Sequence, residues 1–245
     1  MVSSQTQGAL FVIDGSDGSG KATQTKRLVE RLRDEGFDVE TVSFPRYGKK
    51  SCGLVEEYLS GKYGSAEEIS AHAGSLFYAL DRYDASFEIR AWMARGKMVV
   101  ADRYVAANMG HQGSKITDVE ERLAYLMWND HLEHEVLRIP RPTVNIILSV
   151  APEIAQQLAL ANAEGKAKVA KDIHENNAAH LRAAYETYKD IASRFPNFVH
   201  IDCAPEGTLC SVDEIHSRIW AVIAPLLPHR MAFSMTHEST TMNLV

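Results

Sequence analysis

Cysteine is scarce in this chain, with only Cys52, Cys203 and Cys210 among 245 residues. The number is odd and no C-x-x-C spacing occurs, so neither a disulfide framework nor a zinc or redox pair is expected. Free thiols in a reducing, cytoplasmic setting are the expectation. Long apolar runs are missing too, since none approaches the ~20 residues that a membrane-spanning helix requires. Met1 to Gly8 is polar and uncharged, unlike a signal peptide. Nor is there a surplus of basic charge. A net charge of −6 argues against a general nucleic-acid surface, which needs cations to displace phosphate counterions. No Asn-Lys-x-Asp sequence is present to read guanine, which argues against a GTPase switch.

What the chain does have is concentrated near its start. Leu10 to Ile13 is a short apolar run that reads as a buried strand. It leads into Gly15-Ser-Asp-Gly-Ser-Gly-Lys21, and Lys21 to Arg33 then keeps a helical period. Strand, glycine-rich loop, lysine and helix in that order make the phosphate-cradling pattern G-x-x-x-x-G-K. Glycines let the backbone turn tightly and aim N–H groups at one point. The helix N-terminus adds partial positive charge there and Lys21 adds a full one. The stretch predicts a nucleoside triphosphate site. One position departs from the pattern: Ala22 follows the lysine where Ser or Thr usually supplies a hydroxyl to Mg²⁺, and Thr23 comes next.

Downstream, Gly36 ends the first helix, and Phe37 to Phe44 alternates toward a strand closed by Pro45. Glu67 to Ala94 reads as a long helix with Ile69, Ala73, Leu76, Phe77 and Leu80 on one stripe. Met98 to Ala101 is a third strand, Thr143 to Val150 a fourth and Phe198 to Ile201 a fifth. Asp118 to Leu137 reads as an amphipathic helix with Leu123, Leu126, Met127 and Leu137 inward, and Ser211 to Leu226 as the closing helix. Alternating strands and helices predict a parallel sheet covered on both faces. The expected layout is one domain over residues 1–226, with a lid at about 160–176 and a tail at 227–245. Ligands of such sheets gather at the carboxyl ends of the strands, where Asp14 to Thr23, Arg46, and Asp102 with Arg103 fall.

Arg46 and Arg103 each follow a strand end, and Arg82 lies on the helix between them. Three guanidinium forks around one crevice suit an acceptor phosphate. A phosphomonoester, with a second pKa of about 6, is already an anionic nucleophile at neutral pH and needs cations rather than a base. An acceptor hydroxyl would need a base, and the second strand is followed by Pro45-Arg46, not by Glu. That favours a nucleoside monophosphate as acceptor. Lys166, Lys168 and Lys171 sit between two helices, where a mobile lid would bring cations to the transferring group. His131 and His134, three residues apart, read as the polar face of a helix rather than as metal ligands.

The loop Gly15 to Gln24, Phe44-Pro-Arg46, Tyr78-Ala-Leu-Asp-Arg82, Asp102-Arg-Tyr104 and Lys171-Asp-Ile-His-Glu175 stand in the order and spacing of the thymidylate kinase family. From about residue 8 to 222 the chain resembles that family of P-loop nucleoside monophosphate kinases. The resemblance implies an α/β P-loop NTPase-type three-layer fold with a five-stranded parallel sheet. It also implies Mg²⁺-dependent transfer of the ATP γ-phosphate to dTMP by a homodimer. Lys21 and the loop Gly15, Ser16, Gly18, Ser19, Gly20, Ala22 and Thr23 would hold ATP. Asp17 would bind the dTMP 3′-hydroxyl, Arg46 and Arg103 its phosphate, and Asp102 would orient that array or the metal's water. Tyr78 would stack on thymine, with Arg82 and Gln112 at the base. Lys21, Arg103, Asp17 and Lys171 would serve the transfer itself. The chain departs from the family at Ala22, at Ala107 for a common Ser, at Gly18 where some members carry a catalytic Arg, and in lid lysines for arginines. Two alternatives stay open: a deoxynucleoside kinase, and a relative that binds nucleotide with little turnover.

Overall fold

The computed structural model describes residues 8–16, 18–65, 68–154 and 178–228. Asp17, the expected lid with Lys166, Lys168 and Lys171, and the tail beyond residue 228 lie outside the described residues. Five strands, β1 (Leu10–Gly15), β2 (Val39–Ser43), β3 (Met98–Asp102), β4 (Val144–Ser149) and β5 (Phe198–Asp202), form one sheet in the order β2-β3-β1-β4-β5. Every pairing is parallel. The helices are α1 (Lys21–Asp34), α2 (Gly53–Leu59), α3 (Ala71–Ala94), α4 (Val105–Gly113), α5 (Val119–His131), α6 (Ala178–Arg194) and α7 (Val212–Ile223).

The three central strands β3, β1 and β4 read as largely apolar runs because both faces of the sheet are buried there, whereas the edge strands β2 and β5 carry polar, partly exposed residues. Side chains alternate between faces along a strand, and the core divides accordingly. Phe11, Ile13, Met98 and Val100 pack with Leu28, Leu32, Ile215 and Ile219 of α1 and α7. Leu10, Val12, Val99 and Ala101 pack on the other side with Ala85, Ile89, Met109, Leu126 and Ile191 of α3 to α6.

Four helices differ from the sequence expectation. Helix α3 begins at Ala71 because the Ser70 hydroxyl caps the Ala73 N–H at 3.2 Å. Its buried face is Ala71, Gly74, Ser75, Ala79, Arg82, Ala85 and Ile89, so the expected inward stripe is wrong at Leu76 and Leu80, which are exposed. Met127 likewise points to solvent, while Leu126 is buried and Leu137 packs against the core. Helices α2 and α4 were not foreseen. Both begin next to glycine-rich or site segments whose composition masks the helical period.

Candidate active site

The carboxyl ends of β2, β3 and β1 lie side by side, with Ser43 paired to Asp102 and Asp102 to Ile13. This register puts the segments carrying Arg46, Arg103 and the glycine loop at one edge of the sheet. Gly15 is required there by space as well as by conformation. Its φ is 134°, and a Cβ would stand 1.9 Å from the Leu148 carbonyl oxygen of β4. Gly18 and Gly20 also have positive φ, and Gly20, at 83°, is the residue from which α1 starts. Lys21 is buried and its Nζ donates to the Ser16 carbonyl at 2.7 Å, curling the side chain over the loop. The hydroxyl oxygens of Ser16 and Ser19 are buried without a hydrogen-bond partner. Buried orphan donors in a loop of this shape are groups a phosphate would satisfy. Ala22 and Thr23 are exposed on the first turn of α1.

Asp14, next to the loop, is fully buried. Its Oδ1 accepts from the Gly15 N–H at 2.8 Å and from the Tyr188 hydroxyl of α6 at 2.9 Å, and its Oδ2 accepts from the Tyr104 N–H at 3.1 Å. The neighbouring Arg103 N–H donates to the Ile13 carbonyl at 2.9 Å. Arg103 itself has φ 63°, a left-handed conformation that costs a non-glycine residue about 1 kcal/mol and clusters at functional sites. Its Nη1 donates to His111 Nε2 at 3.0 Å. That bond requires an unprotonated Nε2, because a guanidinium only donates.

Arg46 is held from behind. Asp81, buried, takes its backbone N–H at 2.8 Å and its Nε at 3.0 Å, while Asp84 accepts from Nη2 at 2.5 Å. Ser51 accepts from Nη2 and donates to Asp81, each at 2.7 Å. Burial alone would lower the Arg46 pKa, but Asp84 and Asp81 outweigh it and hold the group above its ordinary value. The cation is therefore fixed in place and permanent.

Arg82 stands apart from those two. It is fully buried and makes a two-pronged pair with Glu133, Nε to Oε2 at 2.5 Å and Nη2 to Oε1 at 2.7 Å. Its guanidinium is engaged by Glu133, as that of Arg46 is by Asp81 and Asp84. Around the pair, Asn108 Nδ2 donates to Glu133 Oε1 at 3.0 Å, to Asn129 Oδ1 at 3.1 Å and to the Ser75 carbonyl at 3.1 Å. The acceptor oxygens of Asn108 and Gln112 are buried and unpartnered. Gly74 leaves room for the Gln112 amide, since a Cβ would lie 2.7 Å from its Oε1. Tyr78, on the same helix, meets Tyr58 edge-on at 6.2 Å between centroids. Asp102 is half-buried at the end of β3, and no group of three or more His, Cys, Asp or Glu among the described residues could hold a metal by itself.

Sequence reasoning missed Tyr188, His111, Asn108 and Glu133, and it placed Asp14 at the strand end without giving it a role. Tyr188 and Glu133 carry no local signal, because their partners lie 174 and 51 positions away. His134, expected on a polar helix face, is instead largely buried, and its Nδ1 meets the Ile139 carbonyl at 2.9 Å.

The chain is similar to known proteins. The family profile described as thymidylate kinase matches residues 13–215. The thymidylate kinase of Caulobacter vibrioides is 31% identical over 195 residues, covering 78% of this chain and 86% of that one. The Mycobacterium tuberculosis thymidylate kinase is 29% identical over 186 residues, covering 76% and 86%. The human thymidylate kinase is 25% identical over 213 residues, covering 87% and 88%. A solved thymidylate kinase structure from Candida albicans superposes with a TM-score of 0.67 at 18% identity, covering 90% of this chain and 92% of that one, and shows the same fold. The matched span runs from the end of β1 through the Arg46, Arg82 and Arg103 segments to α7, so every element of the site lies inside it. On that span the chain belongs to the thymidylate kinase family.

Proposed function

We propose that the protein transfers the γ-phosphoryl group of ATP to dTMP, giving dTDP and ADP by direct in-line displacement. The observation that carries this reading is the backbone of Arg103, turned into the left-handed region and hydrogen-bonded to Ile13. That bond ties an acceptor-side cation to the strand that opens the donor's glycine loop. The dTMP phosphate, anionic at neutral pH, attacks without a general base. Arg103 and Arg46 relieve the repulsion between the two anions, and Lys21 with the loop N–H groups takes up charge developing on the transferred phosphoryl. Catalysis is then positioning and neutralisation, with no covalent intermediate.

On the base side, Arg82 offers donors, and Asn108 and Gln112 offer acceptors that lack partners of their own. Tyr78 supplies an aromatic face on α3. The described donor set, with Asp102 as its carboxylate, fits a hard divalent ion bound through phosphate oxygens and water rather than a protein cage. Mg²⁺ held there, through Asp102 by way of water, would neutralise charge on the β- and γ-phosphates. The roles of Asp17 and Lys171 rest on the resemblance alone. The apolar residues exposed along α3, among them Leu76, Leu80, Tyr83 and Phe87, support a homodimer packed through that helix. A cytoplasmic location suits its three free thiols.

The test is coupled ADP release with ATP, Mg²⁺ and a panel of acceptors. The reading expects turnover with dTMP and none with thymidine. Turnover with thymidine would make it a deoxynucleoside kinase, and ATP binding without any turnover would make it a silent relative.

A further inference from the structure

Behind the base-reading side chains sits Glu133, fully buried and carried on the π-helical turn Leu132–Val136 that follows α5. It takes donors from Arg82, Asn108 and Asn129, and the first two have opposite hydrogen-bonding tasks toward a ligand. Its carboxylate takes Nε and Nη2 of Arg82, so Nη1 is the arm of the guanidinium left for a ligand. Its Oε1 also takes Nδ2 of Asn108, which is simultaneously shared with Asn129 Oδ1 and the Ser75 carbonyl. Three acceptors around that NH₂ fix the amide's orientation, because the reversed amide would press its carbonyl against three oxygens. The Asn108 oxygen must therefore face away from Glu133, where it is buried and unpartnered.

The result is a donor on Arg82 and an acceptor on Asn108, both held by one carboxylate. A 4-keto pyrimidine presents the complement, an O4 acceptor beside an N3–H donor. A 4-amino pyrimidine presents the reverse, an N4 donor beside an N3 acceptor, and would leave both protein groups opposed. We propose that Glu133, without contacting substrate, sets the preference of this site for 4-keto over 4-amino pyrimidine monophosphates by fixing the Arg82 donor and the Asn108 acceptor. The inference rests on the proposed acceptor site and deepens it. Thymine and uracil share the edge in question, so Glu133 does not separate dTMP from dUMP. It is a positioning residue.

Glu133→Gln is the direct test. The glutamine keeps one acceptor where the carboxylate had two: its oxygen takes the Oε1 position, where Arg82 Nη2, Asn108 and Asn129 donate, and its N–H₂ opposes Arg82 Nε, which displaces the guanidinium from its place beside the base. Steady-state kinetics with dTMP, dUMP and dCMP, the KM for ATP and a thermal melt are measured together. The expected result is a KM for dTMP and dUMP raised about tenfold in parallel and a dTMP-to-dCMP ratio of kcat/KM lowered at least about tenfold, with the ATP KM unchanged. A folded variant whose ratio stays within about twofold of wild type overturns the inference. A purely structural role would lower kcat for all acceptors alike, and that outcome overturns it too. If Glu133→Gln does not fold, Glu133→Asp, which keeps the charge but shortens the reach to Arg82 and Asn108, is measured in the same way. Loss of the dTMP preference there supports the inference, and its retention overturns it. Wild-type enzyme that ignores dTMP removes the function reading and this inference together, whereas active wild type with an unchanged variant ratio removes the inference alone.

Discussion

Tyr188 on α6 donates a 2.9 Å hydrogen bond to Asp14 at the end of β1, across 174 positions of chain. The same carboxylate takes the N–H groups of Gly15 and Tyr104, so one buried group sets the start of the phosphate loop against the Asp102-Arg-Tyr triplet. Tyr188→Phe removes the hydroxyl that makes this bond with little change of shape. It is expected to cost about 1–2 kcal/mol in urea unfolding and to slow turnover more than it weakens ATP binding. Asp14→Asn, which cannot accept the same set of bonds, should cost more on both counts.

Gly15→Ala tests the close approach of the loop to β4. The added methyl would meet the Leu148 carbonyl at 1.9 Å with φ at 134°. Neither backbone segment can yield, since both are ladder strands. A loss of about 3 kcal/mol or more is expected, with ATP binding by calorimetry abolished even where the protein remains folded.

The legible parts of the molecule were those whose signal is local. β1, the glycine loop and Lys21 declare themselves within a dozen residues, β3 and β4 are largely apolar runs bounded by breaks, and β2 shows as an alternation closed by Pro45. The face of α3 was misread because its buried side is small or polar. Gly74 admits the Gln112 amide, Ser75 bonds Tyr125, and Arg82 pairs with Glu133, whereas periodicity counts large apolar residues. Helix α4 escaped notice for a related reason: a Cβ at Gly110 would lie 2.6 Å from the Tyr188 ring, so packing there selects residues of weak helical propensity. Contacts such as Asp14 with Tyr188 exist only after the chain has folded.

Acid should weaken the fold in a defined window. Burial lowers the pKa of His134, His200 and His216 below the ordinary imidazole value. The unfolded chain then binds more protons than the folded one once the pH drops below the unfolded pKa of about 6.5. Stability is full above that point and declines as pH falls toward the lowered folded values. Urea midpoints measured from about pH 7.5 to about pH 5 should fall with acidification, and His134→Gln should flatten the slope.

The exposed residues of α3 give the proposed dimer its own check. Phe87 is 56% and Leu80 44% exposed, and Tyr83 meets Phe87 edge-on at 5.4 Å. A charge placed among them would be desolvated on association. Leu80→Glu is expected to weaken the dimer by about 2–3 kcal/mol, roughly a hundredfold in Kd, seen by light scattering as a shift toward monomer with the melting temperature preserved.

The central claim is that Lys21 and Arg103 serve donor and acceptor of a single transfer. The most direct measurement follows γ-³²P from ATP into dTDP by single-turnover chromatography, with wild type and Arg103→Ala side by side at saturating ATP and Mg²⁺. The account predicts labelled dTDP from wild type and a loss of about a hundredfold or more in kcat/KM for dTMP in the variant, with ATP affinity and melting temperature near normal. Label appearing in dTDP at near wild-type efficiency from Arg103→Ala would contradict it.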